Sequence, residues 1–225
     1  MGKINKKDIS ELTFTPIQRI IFDEFSENSK LRKQFYFTGG TALSAIYLHH
    51  RESEDLDFFS ETEFDNEDIE DFIEEIAKSK NLQVRFTPRE RVRIFELIKK
   101  GKVEIKVDFG YYPYKRLKKG IKVNNVEVDS IRDIATNKLH TVTSRTEVKD
   151  FVDLYFLLKK FTFWDLLYGV KEKFRMELDL VWLAADLLKV KQFKYLPKML
   201  IPLKLKEIQD FYETQAKKIG MRVVE

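Results

Sequence analysis

The stretch from Phe35 to Phe59, FYFTGGTALSAIYLHHRESEDLDFF, constrains this chain more than any other part of it. Phe35, Tyr36 and Phe37 read as a short buried strand, and Gly39-Gly40 then permits a tight turn with no Cβ in the way. Thr41 to Leu48 is rich in Ala and Leu and ends in His-His-Arg, which predicts a helix with a cationic last turn. The unbonded N–H groups of its first turn, over Gly39, Gly40 and Thr41, make an anion site suited to phosphate. Asp55-Leu56-Asp57-Phe58-Phe59 reads as the next strand, and residues two apart on a strand share a face. Asp55 and Asp57 are therefore expected side by side. Their mutual repulsion calls for a divalent cation, Mg²⁺ or Mn²⁺, which takes oxygen ligands and shares carboxylates with substrate phosphates. A phosphate cradle opposite a carboxylate pair is the apparatus of phosphoryl or nucleotidyl transfer. Taken singly, each motif also has a plain structural reading, a loop for Gly-Gly and a solvated edge for Asp-x-Asp; their order favours chemistry.

The same residues resemble the signature of the nucleotidyltransferase superfamily that includes DNA polymerase beta. Gly39-Gly40-Thr41-Ala42-Leu43 with His50-Arg51-x-Ser53-x-Asp55-Leu56-Asp57-Phe58-Phe59 looks like the AbiEii/AbiGii branch, toxins of bacterial abortive-infection and type IV toxin–antitoxin systems. The resemblance implies an α/β (α+β) fold; the change to helical character from Asp129 onward places a mixed-sheet nucleotidyltransferase core over 1–128 and a C-terminal helical domain over 129–225 completing the active-site cleft. It implies an NTP substrate, Arg51 among the nucleotide-binding residues, an RNA 3′ end such as tRNA as acceptor, and a cognate antitoxin encoded nearby. Asp108, closing Val103-Glu104-Ile105-Lys106-Val107-Asp108, is the candidate third metal ligand. Glu104 and Lys106 alternate on its face, where a metal ligand usually keeps cleaner neighbours.

Ala135-x-x-Lys138-x6-Arg145-x3-Lys149-Asp150-x2-Asp153-Leu154 resembles the helical motif that AbiEii-like proteins carry after the core. By that resemblance Lys138 and Asp150 form the active-site pair and Arg145 binds the nucleotide with them. Spacing does not choose between Asp150 and Asp153, which lie on neighbouring faces of one helix. Lys149 and Asp153, four apart, also fit a surface ion pair. Lys138 is expected to face the triphosphate, so that its truncation harms rate and leaves stability intact.

Composition narrows the remaining classes. The chain has 225 residues, 43% hydrophobic, which suffices for a packed core. It has no cysteine and three histidines, which removes disulfides, thiolate zinc sites and cysteine nucleophiles. His49 and His50 diverge on a helix and read as capping or surface residues, and His140 as a helix-surface residue. No apolar run is long enough to span a membrane and MGKINKKDIS has no signal core, so a cytoplasmic protein is expected. The net charge of +4 conceals a segregation: residues 52–75 carry thirteen acids and no Lys or Arg, whereas 76–123 carry fifteen Lys/Arg against four acids. The basic stretch suits a polyanion or a solvated sheet edge equally. Two other readings remain beside the leading one: transfer to a small-molecule or protein hydroxyl by the same fold, and a non-catalytic nucleotide-binding module.

The rest of the chain divides by period. Thr15 to Asn28 and Asp65 to Lys78 read as amphipathic helices, and Leu82–Phe86, Val92–Ile98 and Val103–Phe109 as strands with a turn at Gly101. Ile121–Val123 and Val126–Val128 flank Asn124-Asn125. Helices follow from Ser130, where Ser130-x-x-Asp133 has capping-box spacing, and continue near 146–160, 162–175, 177–190 and 203–218.

Overall fold

The computed structural model describes residues 3–4 and 12–224. Most of the opening MGKINKKDIS therefore lies outside the described residues. By contact density the chain divides into two compact units, one of residues 1–47, 53–115 and 119–130, the other of 48–52, 116–118 and 131–225. Residues 48–52 and 116–118, which precede the expected boundary at 128, group with the second unit.

The first unit opens with β1 (Lys3–Ile4) and α1 (Pro16–Glu27). Thr15 caps α1 through a capping box with Gln18, and Pro16 takes the first turn, where its missing N–H costs nothing. Then come α2 (Leu31–Gln34), β2 (Tyr36–Thr38) and α3 (Gly39–Ala42), which continues as a π-helical turn through Leu43–Leu48. β3 (Leu56–Ser60), α4 (Glu67–Lys80), β4 (Gln83–Pro88), β5 (Val92–Lys99) and β6 (Lys102–Tyr111) follow, then the small pair β7 (Lys122–Val123) and β8 (Val126–Glu127). The main sheet has the order β2-β3-β6-β5-β4, with β3 and β6 parallel and every other neighbouring pair antiparallel. A smaller sheet pairs β1, β7 and β8.

Both tight turns follow from residues that accept positive φ: Lys100 and Gly101 at +51° and +76°, Asn124 and Asn125 at +46° and +65°. Two consecutive left-handed residues are what a two-residue hairpin turn requires. The sheet buries one face against α1 and α4 side chains. Leu56 and Phe58 of β3 and Ile105, Val107 and Phe109 of β6 all point into the core. Phe25 stacks on Phe58 at 4.1 Å and Phe58 on Phe109 at 5.3 Å. Each such ring contributes about 1.5–3 kcal/mol by leaving water. Because period two sends Phe58 and Phe109 inward, it sends Asp57, Lys106 and Asp108 to the opposite face.

The second unit is helical: α5 (Ile131–Ser144), α6 (Val148–Leu157), α7 (Phe163–Phe174), α8 (Leu180–Leu188) with a 3-10 turn over Lys189–Gln192, and α9 (Leu205–Val224). Capping chemistry places the starts, Thr162 with Asp165 for α7 and Asp179 for α8. Asp133 accepts from the backbone N–H groups of Leu117 and Lys118 and from buried Lys173 at 2.8 Å. That carboxylate pins residues 116–118 to α5 and α7 within this unit. No helix of the described residues is long and apolar enough to cross a membrane.

Candidate active site

In the first unit the site is assembled on β3 and β6, whose parallel register sets Asp57 opposite Asp108. Gly39 closes over Asp57. Its φ is +75°, and a Cβ there would stand 2.0 Å from Asp57 Oδ2, so only glycine lets the turn rest on that carboxylate. The freedom of Gly39, expected to serve a ligand, serves first a protein carboxylate.

Thr41 is buried, and its hydroxyl lies 2.8 Å from Ser53 Oγ and donates to the Asp55 carbonyl. Its side chain therefore fixes the backbone that carries Asp55. The backbone of the Gly39-Gly40-Thr41 turn is the part of that motif still suited to phosphate. The predicted helix over Thr41 to Leu48 begins earlier, at Gly39, and widens to π geometry from Leu43.

The carboxylates converge on an ammonium. Lys106 Nζ is 3.1 Å from Asp108 Oδ2 and 3.5 Å from Asp55 Oδ2. Burial works against the charge on Lys106, but Asp108, Asp55 and Asp57 outweigh it and raise its pKa. The alternation of Lys106 with Asp108 was visible in sequence and counted against a metal role for Asp108. The structure shows that Lys106 is part of the cluster. Among the described residues no group of three or more His, Asp or Glu side chains is drawn together as a preformed metal site. The chemistry of the donors nonetheless fits one: Asp108 and Asp55 lie within 3.5 Å of the Lys106 ammonium and Asp57 acts on it electrostatically, and hard oxygen donors are those that Mg²⁺ and Mn²⁺ take.

The second unit holds a separate knot of charge. Asp153, fully buried, accepts from Arg51 Nε at 2.7 Å and Arg51 Nη2 at 2.8 Å, and pairs with His50 Nε2 at 2.8 Å and Lys138 Nζ at 2.6 Å. Asp150, also buried, pairs with Lys138 at 2.7 Å and Arg145 at 2.7 Å. Burial alone would raise both carboxyls; Lys138 and the arginines reverse this, holding Asp150 below and Asp153 well below the ordinary carboxylate range. Burial opposes the charge on Lys138 too, yet Asp153 and Asp150 raise its pKa. Burial depresses His50 in spite of Asp153.

This geometry distinguishes residues that sequence left together. Asp150 and Asp153 both point inward; Asp153 pairs with Arg51, Lys138 and His50, and Asp150 with Lys138 and Arg145. Lys149 is not the cation that Asp153 takes. Arg51, expected to bind nucleotide, is 3% exposed and forms a two-pronged contact with Asp153. His50 is a core residue rather than a cap, and its carbonyl accepts from Leu200 and Ile201. His140 is half-buried and stacks on Phe174 at 4.4 Å. Lys138 is fixed between two carboxylates, while the side chain of Arg145 is 53% exposed and is the member of the cluster that most reaches solvent. The sequence signal for this knot was the run His50-Arg51 in the motif, whose partners lie about a hundred residues away.

Comparison with known proteins agrees with this arrangement of elements. A protein of Aquifex aeolicus, aq_aa25, is 35% identical over 136 residues, a stretch that takes in 59% of this chain and 61% of that protein. This chain thus matches about three fifths of that relative's length. The crystal structure of JHP933 from Helicobacter pylori is similar over 98% of this chain and 94% of its own, with a TM-score of 0.54 at 17% identity. MenT4, a nucleotidyltransferase toxin from Mycobacterium tuberculosis, aligns over 91% of this chain and 85% of its own with a TM-score of 0.51 at 12% identity. At such identities these two likenesses speak for the fold. The model of the family described as nucleotidyl transferase AbiEii toxin, type IV TA system, matches residues 20–218, and the chain belongs to that family.

Proposed function

We propose that this protein is a metal-dependent nucleotidyltransferase that moves a nucleotide from an NTP to an RNA 3′ end, with tRNA the leading acceptor, as the toxin of a type IV toxin–antitoxin pair. The observation that carries the reading is the position of Asp57, set against the Gly39 turn and in register with Asp108 on the side of the sheet opposite Phe58 and Phe109. The turn's backbone N–H groups would orient phosphate oxygens beside the carboxylates. Asp55, Asp57 and Asp108 would hold Mg²⁺ or Mn²⁺, which when bound supplies neutralisation of phosphate charge and polarisation of the reacting phosphoryl group. Thr41 keeps Asp55 in place through its backbone, a precondition for any such site.

In the second unit the reading retains Lys138 and Asp150 in the catalytic roles that the family resemblance implies, with Arg145 offering its half-exposed guanidinium to an anion. Arg51 and Asp153 we assign to architecture, because each satisfies the other in the core. The family description supports an antitoxin as partner. The basic strands β4 to β6 support a polyanionic acceptor, and cytoplasmic pools of NTP and tRNA are the natural setting.

The test is labelling. Purified protein is incubated with each labelled NTP and Mg²⁺ or Mn²⁺ against purified tRNA, total RNA, small hydroxyl acceptors and protein. Label entering tRNA supports the proposal. Label entering only a small molecule or protein replaces the acceptor, and the absence of turnover by folded protein with either metal overturns the enzymatic reading.

A further inference from the structure

We infer that Lys106 is a built-in counter-ion of the carboxylate cluster, one that a divalent cation must displace before it can occupy the site. The inference rests on the metal reading above and goes further by assigning a role to a residue outside the metal ligands. Lys106 Nζ lies 3.1 Å from Asp108 Oδ2 and 3.5 Å from Asp55 Oδ2, oxygens that a bound metal would itself need. A second cation cannot share those oxygens without strong repulsion, since unit charges a few ångströms apart near a protein surface interact by several kcal/mol.

Three features of Lys106 suit displacement rather than permanent pairing. Its side chain is 31% exposed, so the ammonium has a route to water. Its four-carbon stem is flexible, and it is anchored by β6, which need not move. The contact to Asp55 is longer than the one to Asp108, so the ammonium is shared and is not locked in a fork. The buried Lys138 of the second unit differs in exposure and in contacts: its side chain is 10% exposed and holds two short contacts, at 2.6 and 2.7 Å. Lys106 thus offsets the repulsion among Asp55, Asp57 and Asp108 while no metal is bound. The accompanying effect is weakened metal binding, so that occupancy depends on an incoming NTP bringing its own divalent cation.

The experiment measures Mn²⁺ binding by electron paramagnetic resonance of the free ion, without nucleotide, for wild type, Lys106→Gln, Lys106→Met, Lys106→Arg and Asp57→Asn. Circular dichroism establishes folding of each. Removal of the ammonium should tighten Mn²⁺ binding roughly tenfold or more, the order expected when a contact of this kind no longer competes. Lys106→Arg should stay near wild type. In EDTA the neutral variants should melt lower than wild type, and saturating Mn²⁺ should close that gap. Equal or weaker Mn²⁺ binding by both folded neutral variants, with wild type binding and Asp57→Asn not binding, would sink the counter-ion role and leave the metal reading standing. No Mn²⁺ binding by wild type or by either neutral variant would overturn both. Should one neutral substitution fail to fold, the other decides.

Discussion

Lys138→Ala probes the charge knot of the second unit, where sequence reasoning expected loss of rate without loss of stability. Lys138 contacts Asp150 at 2.7 Å and Asp153 at 2.6 Å, and both carboxylates are completely buried. At an effective dielectric near 20, each contact has a gross Coulomb attraction of about 6 kcal/mol. Desolvation of the ammonium and its repulsion from Arg51 cancel much of this. Breaking a buried pair typically costs about 3–5 kcal/mol, and the lower end applies here because Arg145 still faces Asp150 while Arg51 and His50 still face Asp153. A loss of about 3 kcal/mol should lower the melting temperature by roughly 6–12 °C in a chain of this size. Urea unfolding followed by circular dichroism at pH 7 measures it. The pH dependence supplies a sign. Asp150 and Asp153 have folded pKa values below their unfolded ones, so their stabilisation is present above about pH 4 and is lost as pH falls through the folded values. Lys138→Ala weakens that depression, so the gap between wild type and variant should narrow with acidification below about pH 4. A stability loss under about 1 kcal/mol at pH 7, or a gap that widens on acidification, would refute the structural role.

Asp57→Asn should abolish nucleotide transfer in the labelling assay while leaving the melting temperature within a few degrees, since an amide is a poor substitute for a carboxylate facing a divalent cation; near-normal turnover at saturating metal removes Asp57 from the site. Gly39→Ala combines a left-handed backbone with a Cβ 2.0 Å from Asp57 Oδ2, so it should cost about 1–3 kcal/mol and most of the activity, and a fully active, fully stable variant contradicts the close approach. Arg89→Gln with Arg91→Gln should weaken RNA binding and flatten its dependence on salt. Arg93 is left intact in that experiment because it bonds Asn66 and the Arg89 carbonyl; an unchanged salt slope returns these strands to the role of a solvated edge. His50 is held below its ordinary pKa by burial, so the unfolded chain takes up a proton first as pH falls below about 6.5; His50→Gln should reduce the stability lost between pH 7 and 5, and an unchanged profile would show that other groups carry it.

What was legible in the chain is what period and local chemistry encode. Alternation placed Phe58 and Asp57 on opposite faces of one strand and identified the strand ending at Asp108, because side-chain direction in a strand follows from backbone geometry alone. Thr15-Pro16 announced α1, and Gly101 and Asn124-Asn125 announced their turns, since caps and left-handed residues act within a few positions. The motif order around Gly39-Gly40 and Asp55-x-Asp57 pointed to nucleotidyl transfer for the same reason. What remained hidden were pairings across long separations. Lys106 alternates with Asp108 on what reads as an acidic face, and the register of β3 with β6 makes it a cation of the cluster. Arg51 and Asp153 suited a nucleotide site by residue type. Only packing could put them 102 positions apart in sequence and within hydrogen-bond reach in the core, where each needs the other to offset its own desolvation.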